Sequence, residues 1–191
     1  MSPAIAMSKG QVLELVKADE RPLTQIRIGL GWDEERNAGY LGTGNPEVDL
    51  DASAVQFTGN QLFDLAFYNN LATRDGSVVH LGDNLTGGGE GDDEVITVDL
   101  TKVYAKVDTI AFLVSSYQGH SLTWVGNAYC RVVDDEDNEI ARFNLTNGVP
   151  ETGLVMATLI RSGDAWKLRA IGEGIAVKLP TESVKALQPY L

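Results

Sequence analysis

Ile26-Arg27-Ile28-Gly29-Leu30 alternates apolar residues with polar or small ones, the signature of a strand with one face in a core and the other turned outward. Similar runs recur on both sides of it, over 12–16, 23–30, 48–57, 62–68, 78–81, 95–100, 109–116, 128–133, 139–145, 154–161 and 166–171. Most are rich in Val, Ile, Phe, Tyr or Thr and are bounded by Gly, Asn, Asp or Pro. Asp134-Asp135-Glu136-Asp137-Asn138 and Ser162-Gly163-Asp164 read as hairpin turns between such runs. The one convincing helix is terminal, over 180–187, about two turns opened by Pro180 and closed before Pro189. Eleven short strands with almost no helix exclude a parallel sheet, which needs crossover helices. The expectation is all-β: one domain over 1–191, a β-sandwich or barrel with a short C-terminal helix, residues 1–6 forming a flexible extension.

Composition narrows the function classes. The chain has 191 residues, 43% apolar and 22% charged, an ordinary globular balance too short for two typical domains. Fifteen Lys and Arg face 27 Asp and Glu, a net charge of -12. Such a polyanion repels phosphate backbones, which argues against direct nucleic-acid binding. A single cysteine, Cys130, excludes an internal disulfide framework and any multi-thiolate metal site. Its place in Ala128-Tyr129-Cys130-Arg131-Val132 reads as a buried strand thiol. No run approaches the roughly 18 apolar residues of a membrane span and no signal peptide is visible, so the expected location is the cytoplasm.

The charge is unevenly distributed. Residues 37–101 contain one cation, Arg74, and eleven acids, a local charge of -10. Solvated surfaces ordinarily intersperse signs. Either another segment brings cations across, or these carboxylates pair with something that is not protein. The densest part is Gly82-Asp83-Asn84-Leu85-Thr86-Gly87-Gly88-Gly89-Glu90-Gly91-Asp92-Asp93-Glu94. Its glycines let backbone carbonyls turn inward. Asp83, Asn84, Thr86, Glu90, Asp92, Asp93 and Glu94 offer oxygen only, the donor set of Ca²⁺, which takes about 6–8 oxygens. An EF-hand is excluded because Leu85 occupies its third position. The β-roll nonapeptide is met once, over 88–96, and one copy builds no solenoid. A phosphate cradle would carry Lys or Arg where this loop carries acids. The plain alternative is a solvated acidic loop.

A second segment, Val48-Asp49-Leu50-Asp51-Ala52-Ser53-Ala54, places Asp49, Asp51 and Ser53 on one face of a strand. The two carboxylates are close enough to converge on one ion, or to act as a glycosidase-like acid pair within a cleft. Gly29-Leu30-Gly31-Trp32-Asp33 reads as a strand end with glycines beside an acid. Phe67-Tyr68-Asn69-Asn70 reads as another, with two amides offering neutral oxygens. Asp33, Asn69 and Asn70 are supporting ligand candidates. His80 and His120 are too few for a His-rich transition-metal site. Trp32, Trp124 and Trp166 read as core or strand-end aromatics.

At these residues the sequence resembles the TerD family of bacterial tellurium-resistance and general stress proteins. The resemblance is carried by Met7-Ser8-Lys9-Gly10, Gly29-Leu30-Gly31-Trp32-Asp33, Asp49-Leu50-Asp51-Ala52-Ser53-Ala54, Phe67-Tyr68-Asn69-Asn70-Leu71, Asp75-Gly76-Ser77-Val78-Val79-His80 and the 82–94 loop. It implies a two-sheet β-sandwich that binds two neighbouring calcium ions in a cytoplasmic stress-response setting; the crowded acids of 37–101 make a calcium sensor, buffer or scaffold the leading expectation. The implied ligands are Asp49, Asp51, Asn69 or Asn70, Asp83, Asn84, Glu90, Asp92, Asp93 and Glu94, with loop carbonyls such as that of Gly89. It implies work with other Ter-type proteins and membrane association only indirectly or through calcium; no catalysis and a monomer are expected. Residues 38–47 depart from the family as an insertion, 117–125 are short for it, and the ending after Gly174 differs. A C2-like membrane-docking module and a hydrolase using Asp49 or Asp51 are the competing readings. Direct tellurite chemistry is disfavoured, because carboxylates repel the anion and a lone Cys130 is a poor two-electron reductant.

Overall fold

A computed structural model describes residues 4–17, 19–34, 49–82, 91–144 and 149–191. Within them the strands are β1 (Ile5–Ala6), β2 (Val12–Glu14), β3 (Gln25–Glu34), β4 (Asp51–Thr58), β5 (Gln61–Ala66), β6 (Val78–His80), β7 (Glu94–Asp99), β8 (Thr109–Ser115), β9 (Val125–Asp134), β10 (Glu139–Asn144), β11 (Gly153–Ser162) and β12 (Ala165–Ile175). They form two six-stranded sheets, β1-β10-β9-β3-β7-β6 and β2-β12-β11-β8-β4-β5. This is the expected two-sheet sandwich, antiparallel except where β1 runs parallel to β10.

The alternation predicted at Ile26–Leu30 builds the core directly. Ile26, Ile28, Leu30 and Trp32 of β3 meet Ala52 and Ala54 of β4 and Ile110, Phe112 and Val114 of β8 between the sheets. The second sheet is buried on its other face as well. There Val55, Phe57, Ala111, Leu113, Val155 and Ile171 pack beneath Leu187 of the C-terminal segment. That double burial explains why β8, Thr-Ile-Ala-Phe-Leu-Val-Ser, is buried at every position while β7 alternates. The terminal segment consists of a 3-10 turn Pro180–Glu182, a single α-turn α1 (Val184–Leu187) and a second 3-10 turn Gln188–Tyr190. It runs a turn longer than the 180–187 helix expected, and only the middle of it is α-helical. Gln188 Nε2 ties it to the Asn60 carbonyl at 2.9 Å, and the Arg169 guanidinium donates to the Tyr190 carbonyl.

Two expectations are corrected. Residues 1–6 are not wholly a flexible extension: Ile5 and Ala6 pair with Ala141 and Arg142, and Met7 is buried in the core. The strand expected over 23–30 runs on through Gly31-Trp32-Asp33 to Glu34, with a register shift against β9. Both hairpin turns stand where predicted, with Asp137 and Gly163 at positive φ. Among the described residues no helix is long and apolar enough to cross a membrane.

Candidate metal centre

Chain direction gathers the candidate segments at one end of the sandwich. In the first sheet β3 and β6 run toward this end and β7 starts from it, with Leu30 opposite Glu94 and His80 opposite Ile96. In the second, β4 starts there and β5 and β8 finish there, with Asp51 opposite Ser115 and Ala54 opposite Ala66. A side chain joins the two rims, since Glu94 Oε2 accepts from the Ala52 N–H at 2.5 Å. Asp49, Asp51, the 67–70 turn, Gly82 and the Gly91–Glu94 segment therefore share one rim. Asp83, Asn84, Thr86, Gly89 and Glu90 lie outside the described residues, as do the 38–47 insertion and the side chain of Asp33.

Asp51 and Ser53 project from β4 on the face occupied further along by Val55 and Phe57, opposite to Leu50, Ala52 and Ala54 in the inter-sheet core. Asp51 is 3% exposed and Ser53 fully buried, whereas Asp49 is half-buried just before the strand. A carboxylate this deep is costly unless a cation or a set of donors offsets it. Glu94 is buried in the same region, and its Oε2 also lies 3.2 Å from His80 Nε2. His80 Nδ1 accepts from the Gly82 N–H at 3.2 Å, so Nε2 carries the proton and donates to Glu94. Asp93 Oδ2 accepts from the Trp32 N–H at 2.9 Å. Glu94 and Asp93 thus bind the two sheets and the end of β3 together.

Asp92 faces the outer side of the first sheet. Arg131 Nε and Nη2 grip its two oxygens at 2.7 and 2.9 Å. Tyr129 Oη donates to the Gly91 carbonyl at 2.8 Å and reaches Asp92 Oδ1 at 3.1 Å. Arg131 continues to Glu139 at 3.2 Å, which Arg142 clamps with two bonds of 2.7 Å. Arg142 in turn lies over the Tyr129 ring, 4.2 Å from its centre. The hydrogen bonds from Arg131 to Asp92 raise the guanidinium pKa further, and burial followed by the Asp92 charge raises that of Tyr129. Gly29 and Gly31 make the floor of this ring of charges: a Cβ on Gly29 would overlap the Asp92 carboxylate, and one on Gly31 the Tyr129 ring. The glycines of that motif serve close packing in mid-strand, a role with no signature in the sequence.

Asn69 and Asn70 are exposed at the tip of a tight turn closed by reciprocal Phe67–Asn70 backbone bonds of 3.0 and 2.9 Å. The Asn70 amide donates to the Leu65 carbonyl at 2.7 Å, leaving its oxygen directed elsewhere. Among the described residues no three His, Cys, Asp or Glu side chains converge by themselves into a metal cluster. The donor chemistry of the rim nevertheless fits a hard cation, since Asp49, Asp51 and Ser53 offer oxygen alone. The one thiol does not compete, because burial and then the Asp92 charge push Cys130 up to about 12.

Other acids of the 37–101 stretch are settled by protein groups. Asp64 meets Arg74 at 3.0 Å and Asp99 meets Lys102 at 3.0 Å. Asp75 accepts from the N–H groups of Ser77 and Tyr104 and from the Thr73 and Ser77 hydroxyls. Arg131, the residue that brings charge to Asp92, carries no sequence signal of that role. A cation 39 residues away leaves no pattern in a linear reading.

The family model described as TerD domain matches residues 3–181. A tellurium resistance protein TerZ of Serratia marcescens is 42% identical over 173 residues, covering 88% of this chain and 89% of that protein. A stress response protein SCP2 of Bacillus subtilis is 39% identical over 185 residues, covering 90% and 92%. The solved structure of a homologue of the telluride resistance protein TerD from Streptomyces coelicolor superposes with a TM-score of 0.70 at 18% identity, over 85% of this chain and 95% of that one. At that identity the structural likeness concerns the fold alone.

Proposed function

The chain belongs to the TerD family of tellurium-resistance and general stress proteins, and from that premise we propose that it is a calcium-binding stress-response protein of the cytoplasm, acting as a sensor, buffer or scaffold rather than as an enzyme. One observation carries the reading. A strand-start carboxylate, Asp51, is 3% exposed at the rim where Asp49 and both roots of the acidic glycine-rich loop are gathered. Oxygen donors concentrated at a rim suit Ca²⁺, with Asp49 and Asp51 as the described ligands and the 83–90 loop as the source of more. When bound, the ion would supply positive charge among these carboxylates, so binding and fold stability are linked. Partnership with other Ter-type proteins fits the same reading.

Thermal unfolding of the whole chain in EDTA and in excess Ca²⁺ tests it. At free Ca²⁺ of about 100 times Kd, one site adds about 2.7 kcal/mol to stability, so the melting temperature is expected to rise. Asp51→Asn is expected to abolish most of that rise. Equal melting temperatures of the wild type with and without calcium would overturn the reading.

A further inference from the structure

We infer that the hydroxyls of Ser53 and Ser115 are further oxygen ligands of the cation assigned to Asp49 and Asp51; this rests on the calcium reading above. Both serines are 0% exposed, and among the described residues neither hydroxyl has a hydrogen-bond partner. A buried hydroxyl in that condition costs about 1–3 kcal/mol, so two of them flanking one carboxylate demand a reason. Their position supplies one. Ser115 is the direct cross-strand neighbour of Asp51, which sets their Cβ atoms about 4.5–5.5 Å apart on one face. Ser53 follows Asp51 by two residues on the same strand and hence the same face, in a stretch where the β4–β8 register is unbroken. The three side chains make an oxygen-only triangle on the outer face of the second sheet, at the rim that holds Asp49. Apolar neighbours abut it on that face: Leu113, the cross-strand partner of Ser53, and Val55.

Thr158 shows what the feature is not. Its hydroxyl is also buried without a partner, but it stands beside Ala111 and Arg169, where a guanidinium discourages a cation. The two serines next to Asp51 combine burial, neutral oxygen and a carboxylate neighbour at the candidate rim. Calcium accepts such neutral oxygens readily, completing a shell that carboxylates alone would overcharge.

The test reads two quantities that move in different directions. Calcium affinity of the decalcified full chain is measured by competition with a chelator for the wild type, Ser53→Ala and Ser115→Ala, and each variant is also melted without calcium. Each alanine is expected to weaken affinity roughly 10- to 100-fold while leaving the calcium-free melting temperature unchanged or higher, because an unsatisfied polar group has gone. Ser115→Cys, close in size but with a soft sulfur, is expected to lose affinity like the alanine and serves should an alanine variant not fold. Wild-type affinity in the serine variants would overturn this inference alone, leaving the hydroxyls to hold water. Absence of calcium binding by the wild type would remove the calcium reading and this inference with it.

Discussion

The fate of single carboxylates separates architecture from chemistry. Asp92 belongs to the acidic loop by sequence, yet its oxygens are taken by Arg131 and Tyr129, which pin the Gly91 root against the outer face of the first sheet. Asp75 is similarly absorbed by the fold at the opposite end of the sandwich. Burial there opposes ionisation, but the N–H groups of Tyr104 and Ser77 and the Thr73 and Ser77 hydroxyls together hold its pKa below the usual value. A depressed carboxyl contributes stability that is full above the unfolded value near 3.9 and is lost as pH falls through the lower folded value. Asp75→Asn is therefore expected to cost about 1–3 kcal/mol at pH 7 and to flatten the loss of stability below about pH 4. Urea unfolding at stepped pH measures both, and an unchanged acid slope would show that Asp75 is not the titrating anchor. The acidic composition was legible as an excess needing partners. Which acids take protein partners was not, because Arg131 and Tyr104 reach them through the third dimension.

Elements with a strong period were readable and elements without one were not. Alternation at Ile26–Leu30 and the turn residues at 134–138 and 162–164 locate β3 and the two hairpins in the sequence alone. β1 has two residues, both exposed, and no period can be read from two positions; only its pairing with β10 defines it. β3 outran its expected end because Gly29 and Gly31 look like turn residues but act as clearance for Asp92 and Tyr129. The C-terminal segment was legible as a short helix from its flanking prolines, while its task was hidden. Leu187, fully buried against Val55, Phe57 and Leu113, closes the outer face of the second sheet. Leu187→Ala is expected to destabilise the protein by about 2–5 kcal/mol, read by urea unfolding. A change below about 0.5 kcal/mol, typical of surface positions, would mean that the segment does not seal that face.

For the molecule as a whole, antiparallel order does what no single segment could. Segments spread from Asp49 to Ser115 meet at one rim because β4, β5, β6, β7 and β8 all start or finish there. The candidate ligands Asp49 and Asp51 could be named from spacing alone, since a strand period of two puts them on one side. Ser115 could not, because its relation to Asp51 exists only in the β4–β8 register. The same topology brings Asp49, Asp51, Asp93 and Glu94, far apart in the chain, to the rim where a divalent ion would be held. Calorimetric titration of the decalcified full chain with Ca²⁺ tests this most directly, giving stoichiometry and Kd together. The account predicts saturable binding of one to two ions per chain, lost in Asp51→Asn; a flat titration with folded wild-type protein would contradict it.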